Sequence, residues 1–290
     1  MTNFFEKSIL KQIKSNETDP IRIDKFISRD YCKKLLDYKK SITKKMVDRE
    51  ESTKVSFNWN DSAILKDLKE KIKNIIGSFE VKDFEPHFIT TRFPLRLHAD
   101  TGKDPNDLIF KNVVIPLEIN YQNNNKRKSH TVVFKNKWYD QSALFTTKTA
   151  NNYDFIIKDN DGNFVDILNI NDFKKNVDDC KNDKVLIYNK NKFLISKKFK
   201  EYVDMLSNTK RYNMRTNAHI TNNQKFNLED YKKYMSHQPY EDCTSLIIDK
   251  VLEWEVGSLF SWDRVRIHSS DNFLINGIES KTCIAVFTSK

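Results

Sequence analysis

The chain has 290 residues, of which 38% are hydrophobic, 31% charged and 12% aromatic, and its formal net charge is +10. That aromatic content excludes a disordered composition, and the length suits one large domain or two ordinary ones with a sizeable core. No run approaches 18 apolar residues, which excludes a membrane-spanning helix. The opening MTNFFEKSILKQIKSNE lacks the apolar stretch and small-residue cleavage site of a signal peptide, so a cytoplasmic protein is expected. A basic balance is compatible with an anionic partner. Here, however, the lysines are spread along the chain, and abundant Lys, Asn and Ile beside only 5 Gly read as codon bias. Cys32, Cys180, Cys243 and Cys283 form no CxxC pair, so neither a zinc ribbon nor a disulfide framework is indicated.

In chain order, IRIDKFISRDYCKKLLDYKKSI (21–42) reads as a short strand, a cap at Ser28 or Asp30, and a helix with Leu35, Leu36 and Ile42 at helical spacing. DSAILKDLKEKIKNIIG (61–77) is a clearer helix. Asp61 or Ser62 caps it, Gly77 ends it, and Ile64, Leu65, Leu68, Ile72, Ile75 and Ile76 form one stripe. From Phe84 the period changes. FEPHFITTRFPLRLHAD, LIFKNVVIPLEINY and SHTVVFKNKWYD are β-rich runs broken by Asp, Asn and Lys clusters. The stretch 146–235 is polar and less regular, with a helix expected at SKKFKEYVDML (196–206). Strand character returns in SLIIDKVLEWEVGSLFSWDRVRIHSS and SKTCIAVFT. Helices first and many short strands afterwards predict an α+β fold with a mostly β core, a sandwich or barrel.

In RFPLRLHADTG, His98 and Asp100 are two residues apart. On a strand they share one face and could share one metal ion. A His-x-acid pair is expected by chance about once in such a chain, so the pair alone proves nothing. A non-haem iron site needs a second histidine. His268 ends WEVGSLFSWDRVRIH, whose Gly turn, apolar strand and Asp-containing bend resemble the stretch before the distal iron ligand of 2-oxoglutarate-dependent iron oxygenases. His87, His130, His219 and His237 read as ordinary polar residues, and Trp254 and Trp262 as core.

These parts together resemble the 2-oxoglutarate/Fe(II)-dependent oxygenase superfamily, in particular its prolyl-hydroxylase-like members. IRIDKFISRDYCKKLL looks like their opening, TTRFPLRLHAD like the strand into the H-x-D pair, and NVVIPLEIN and HTVVFKNKW like the next core strands. The likeness covers roughly residues 20–140 and 240–290. It implies a double-stranded β-helix (jelly-roll) with N-terminal helices packed on one sheet. The single oxygenase domain, 1–290, would comprise support (about 1–83), a core (about 84–145 and 236–290) and a long insertion (about 146–235). It implies Fe(II) held by His98, Asp100 and His268, with 2-oxoglutarate as cosubstrate and O2 as oxidant. Lys281, on a strand face shared with Cys283, Ala285 and Phe287, would bind the distal carboxylate of 2-oxoglutarate, with Cys283 where many relatives have serine. Arg266 and Arg96, on the faces of His268 and His98, are further candidates for cosubstrate or substrate. Asp100 favours hydroxylation over halogenation, because family halogenases replace this carboxylate with a small residue. The expected function is hydroxylation of an amino acid, peptide or other small organic substrate, with release of succinate and CO2. A nucleic-acid oxidative demethylase is the alternative, weakened because GIESKTCIAVFTSK lacks the two arginines usual there. A non-catalytic binding module on the same fold is the other, and no ligand has been lost to signal it. Tyr212, Arg215 and Tyr240 in or beside the insertion could close over a substrate. The oligomeric state is not indicated.

Overall fold

The computed structural model describes residues 18–42, 46–82, 85–100, 109–122, 127–137, 225–244, 246–264 and 266–290, with the backbone of four short strands between 156 and 194. The chain opens with β1 (Ile21–Ile23) and α1 (Arg29–Ser41), whose N-terminus is capped by the Ser28 hydroxyl accepting from the Tyr31 amide. The hairpin β2 (Met46–Asp48) and β3 (Ser52–Ser56) leads to α2 (Ala63–Ile76). Ser62 caps α2 and Gly77, at φ 81, ends it with its amide bonded to the Lys73 carbonyl. The buried positions of α2 are Leu65, Leu68 and Ile72, the i, i+3, i+7 stripe its sequence predicts, while Ile75 stays exposed.

The β core follows: β4 (His87–Thr91), β5 (Ile109–Tyr121), β6 (His130–Lys137), the short pairs β7 (Ile156–Lys158) with β8 (Phe164–Asp166) and β9 (Val185–Tyr188) with β10 (Asn191–Leu194), then β11 (Ile248–Glu253), β12 (Leu259–Asp263), β13 (Arg266–Ser270) and β14 (Ile278–Ser289). All the described pairings are antiparallel. The large sheet has the order β1-β12-β5-β14-β4-β3-β2 and the small one β11-β6-β13. The run FEPHFITTRFPLRLHAD does not make one strand. β4 stops at Thr91, before Pro94, which has no N–H to give a ladder. The chain returns to pairing only at His98, which bridges His268 and so adds a fourth row to the small sheet.

Among the described residues, three apolar clusters follow from the two-residue alternation of these strands. Ile89, Phe260, Trp262, Cys283 and Ala285 of the large sheet meet Val133, Leu252 and Trp254 of the small one, so this cluster lies between the sheets of a β-sandwich. On the other face of the large sheet, Val113, Ile115, Ile284 and Val286 cluster with Leu35 of α1 and Leu65, Leu68 and Ile72 of α2. On the other face of the small sheet, Leu97, Ala99, Val132 and Ile267 are covered by Phe226, Tyr234, Met235 and Leu246. Residues 225–235, the end of the expected insertion, therefore pack against the core. Most of 146–224, including the expected helix 196–206, His219, Tyr212 and Arg215, lies outside the described residues. No helix among the described residues is long and apolar enough to cross a membrane.

The EVGS turn between β11 and β12 depends on Gly257. It adopts φ 87, its amide bonds the Pro116 carbonyl, and its own carbonyl accepts from Ile27. A Cβ there would lie 2.4 Å from the Ile27 carbonyl oxygen, whereas one on Gly77 would meet nothing closer than 3.9 Å. Gly257→Ala should therefore cost more than the roughly 1 kcal/mol of a left-handed backbone alone, reaching about 3 kcal/mol, while Gly77→Ala stays near about 1 kcal/mol. Urea unfolding of both variants checks this, and equal losses would refute the close approach at Gly257.

Candidate metal centre

β13 and the segment around His98 are joined by a mutual pair of backbone bonds. The His98 amide donates to the His268 carbonyl (3.0 Å) and the His268 amide to that of His98 (2.9 Å). Antiparallel residues that exchange both bonds stand directly opposite one another with side chains on the same face. The two imidazoles accordingly lie with ring centroids 4.2 Å apart. Asp100 falls on that face again, while Leu97 and Ala99 point into the opposite cluster. Arg264, fully buried, fixes Asp100 from behind: its Nε donates to the Asp100 carbonyl (2.6 Å), and its own carbonyl accepts from the Asp100 amide (3.1 Å).

One ligand atom from each of His98, Asp100 and His268 lies within 4.8 Å of the others. Each histidine has Nδ1 against the carbonyl two residues earlier, Arg96 for His98 (2.6 Å) and Arg266 for His268 (3.0 Å). A neutral imidazole whose Nδ1–H donates to a carbonyl presents the lone pair of Nε2. The Nε2 atoms face Asp100, that of His268 at 3.1 Å and that of His98 at 3.9 Å. A lone pair facing a carboxylate oxygen is repulsive unless a cation lies between them. Two imidazole nitrogens and one carboxylate form a donor set suited to a divalent first-row metal. Burial pushes His98 down to about 4, helped by the neighbouring His268, so it is neutral at pH 7. Burial alone would raise the Asp100 carboxyl, but the attraction of the His268 and His98 rings, when those are charged, holds it well below the usual carboxylate range. Asn112 on β5 donates its amide to Asp100 Oδ2 (2.9 Å). Facing a carboxylate, that amide must turn its NH2 inward, which leaves its Oδ1 buried without a partner. Directly across the ladder stands Trp262, its ring 4.9 Å from that of His268 and its Nε1–H likewise buried and unpaired.

The triad opens on a cavity of about 500 Å³ between the sheets. Val114, Cys283 and Ala285 line its large-sheet wall, Trp254 and Trp262 also border it, and Arg49, Lys54 and His87 add polar groups. Of the residues assigned to the cosubstrate by resemblance, Cys283 is in the lining, with its thiol pushed up to about 12 by burial. Lys281 and Arg266 are not. The Lys281 ammonium donates to Ser129 Oγ (2.9 Å), lies 3.9 Å from Asp271 and sits over the Trp254 ring at 4.1 Å. Arg266 is held by Asp249, and Arg96 is exposed. His87, read from sequence as an ordinary polar residue, is buried in the lining with Nδ1 against the Glu85 carbonyl. His237 meets Ser269, and His130 pairs with Asp271. Asn112, Arg264, Arg49 and Lys54 are not singled out by the sequence. The available signal was a polar residue on the inward face of an otherwise apolar strand, as Asn112 is in NVVIPLEIN.

Because Asn112 holds the Asp100 carboxylate, Asn112→Ala should weaken Co(II) binding about 10–100-fold without changing the fold. Titration followed by the visible cobalt bands checks this, and unchanged affinity would remove Asn112 from the site. Lys281 yields a pH prediction. Burial lowers its ammonium from 10.5 to about 8, so between those values the unfolded chain binds more protons than the folded one. Stability then rises with pH, whereas below pH 8 the full burial cost is present. Urea midpoints for the wild type relative to Lys281→Met should climb from pH 7.5 to 9.5, and a flat difference would contradict the shift.

No protein-family model and no curated protein matches the chain. A solved structure to which it is similar is that of the epimerase SnoN in complex with Fe3+, alpha ketoglutarate and nogalamycin RO. The identity is 8% and the TM-score 0.40, over 98% of this chain and 83% of that one. A likeness of that size fixes neither the fold nor the chemistry of this chain.

Proposed function

We propose that the protein is an Fe(II)- and 2-oxoglutarate-dependent oxygenase acting on a small organic or peptide substrate. One observation carries the reading: two Nε2-presenting histidines and one pinned carboxylate converge at the edge of a cavity between two sheets. A facial set of this kind leaves the remaining coordination positions open. The strand order supports a double-stranded β-helix. Its large sheet would be β4-β14-β5-β12, and its small sheet the His98 row with β13, β6 and β11. Bound there, iron with 2-oxoglutarate and O2 supplies the oxidising power, giving succinate, CO2 and an oxygenated substrate.

The chain's own residues do the rest. His98 and His268 are locked in one tautomer by their carbonyl partners. Asp100 is held by Asn112 from the side and by Arg264 through its backbone. Ile89, Val114 and Trp254 make the cavity wall apolar and restrict water. Lys281 is the interior cation for the far carboxylate of 2-oxoglutarate, which would replace the long Asp271 contact; Trp254, below its ammonium, borders the cavity. Cys283, two residues on, narrows the same wall. Arg266 serves the fold through Asp249. Asp100 fills the position that a halide would need, which favours hydroxylation or a related oxidation.

Protein supplied with Fe(II), ascorbate and 2-oxoglutarate should release succinate slowly even without substrate, measured by NMR. His98→Ala, Asp100→Ala and His268→Ala should each lose this release while remaining folded. A metal-loaded wild type that makes no succinate would overturn the reading in favour of a binding module. Lys281→Met should raise the requirement for 2-oxoglutarate by about one to two decades, the value of roughly 1.5–3 kcal/mol for a charged hydrogen bond. Iron affinity should be unchanged, and an unaltered 2-oxoglutarate requirement would remove Lys281 from cosubstrate binding.

A further inference from the structure

The end of the cavity formed by the β2–β3 hairpin carries two cations with no assigned task. Arg49 lies in the turn and Lys54 on β3, and both line the cavity. Lys54 stands in register with Ile89 of β4, which is in register with Cys283 of β14, so its row is the one facing the space between the sheets. Beside them in sequence stand Glu50 and Glu51, exposed and outside the lining, and Asp48, which is already used. It accepts from the Thr53 hydroxyl and from both terminal nitrogens of Arg92 at 3.5 Å, and Arg92 is also held by the Arg49 carbonyl at 3.0 Å. Among the described residues, neither the Arg49 guanidinium nor the Lys54 ammonium has a carboxylate partner. Both side chains are exposed, unlike Lys281 and Arg266, which are buried and each have an acid.

Charge decides what could fill this end. Among the described residues that line the cavity, Asp100 is the only carboxylate, set against Arg49 and Lys54. Histidines aside, the lining therefore carries one excess positive charge. A divalent ion and the dianion 2-oxoglutarate cancel each other and leave that excess in place. A ligand with one negative group would remove it, and a guanidinium beside an ammonium is a strong receptor for a carboxylate or phosphate.

We propose that Arg49 and Lys54 form an oxyanion-binding end of the cavity and that the substrate carries a carboxylate or phosphate held there. The substrate assignment rests on the oxygenase reading, whereas the anion site itself does not. Inorganic phosphate titrated into metal-free protein at low ionic strength, followed by calorimetry, reads the site alone. Arg49→Gln and Lys54→Gln should each weaken phosphate binding at least fivefold and the double variant should abolish it. Lys34→Gln, on the exposed face of α1, should leave it unchanged. Binding that survives the double variant overturns the site. With the Co(II)-loaded protein, 2-oxoglutarate affinity should stay within twofold in the double variant, and a tenfold loss would give the site to the cosubstrate and overturn the substrate assignment. Finally, a panel of organic acids paired with their carboxamides should accelerate succinate release through the acids only. Acceleration by amides equally well would also overturn the assignment. If phosphate binds as described but no succinate is ever formed, the oxygenase reading fails and the anion site stands.

Discussion

Two backbone hydrogen bonds between residues 170 positions apart in sequence hold the site together. The mutual amide–carbonyl exchange of His98 and His268 sets their rings side by side, carries Asp100 onto the same face and sends Leu97 and Ala99 the other way. Everything around it serves that register. Arg264 fastens Asp100 by its backbone, Asn112 by its side chain, and the carbonyls of Arg96 and Arg266 choose the tautomers. A slip of one residue in this pairing would turn all three donors out of the cavity, because strand faces alternate with period two. The site is therefore a property of sheet register as much as of residue identity.

The same alternation explains which features are legible in the amino-acid sequence. That His98 and Asp100 share a face needs only local geometry. So does the division of the last strand, where Cys283 and Ala285 face the inter-sheet cluster and Ile284 and Val286 the helix-covered one. The Ser28 and Ser62 caps and the Gly77 stop are local too. Nothing local says that residue 98 will lie opposite residue 268; that comes only through a resemblance of ordered parts. Asn112 and Arg264 are illegible because their partners are brought by tertiary folding. Arg49 and Lys54 are illegible for another reason: in a chain with 50 basic residues, two more on a polar hairpin carry no signal until the cavity shows which way they face.

The cavity is uneven in polarity. Near the triad it offers an indole donor and an amide acceptor that no described residue satisfies, its middle is apolar, and its hairpin end is cationic. Burying unpaired polar atoms costs free energy in a folded protein, so their presence beside a candidate metal-ligand set marks a surface shaped for something other than stability. The buried cations away from the cavity show the opposite arrangement. Lys111 is matched by Asp263, Arg266 by Asp249 and Lys281 by Asp271.

The strand order has a consequence for how the molecule comes into being. β5 is thirteen residues long and lies between β12 and β14, while β6 lies between β11 and β13. All four neighbours come from residues 248–289, more than a hundred positions downstream of the strands they flank. During synthesis both edges of both central strands thus wait bare until the last part of the sandwich has emerged, and each ladder must then close a very long loop. Such non-local pairing folds slowly and leaves apolar edges open to pairing with other chains in the meantime. The architecture that brings His268 onto the His98–Asp100 pair is therefore also the one that exposes nascent copies of this protein to pairing with each other.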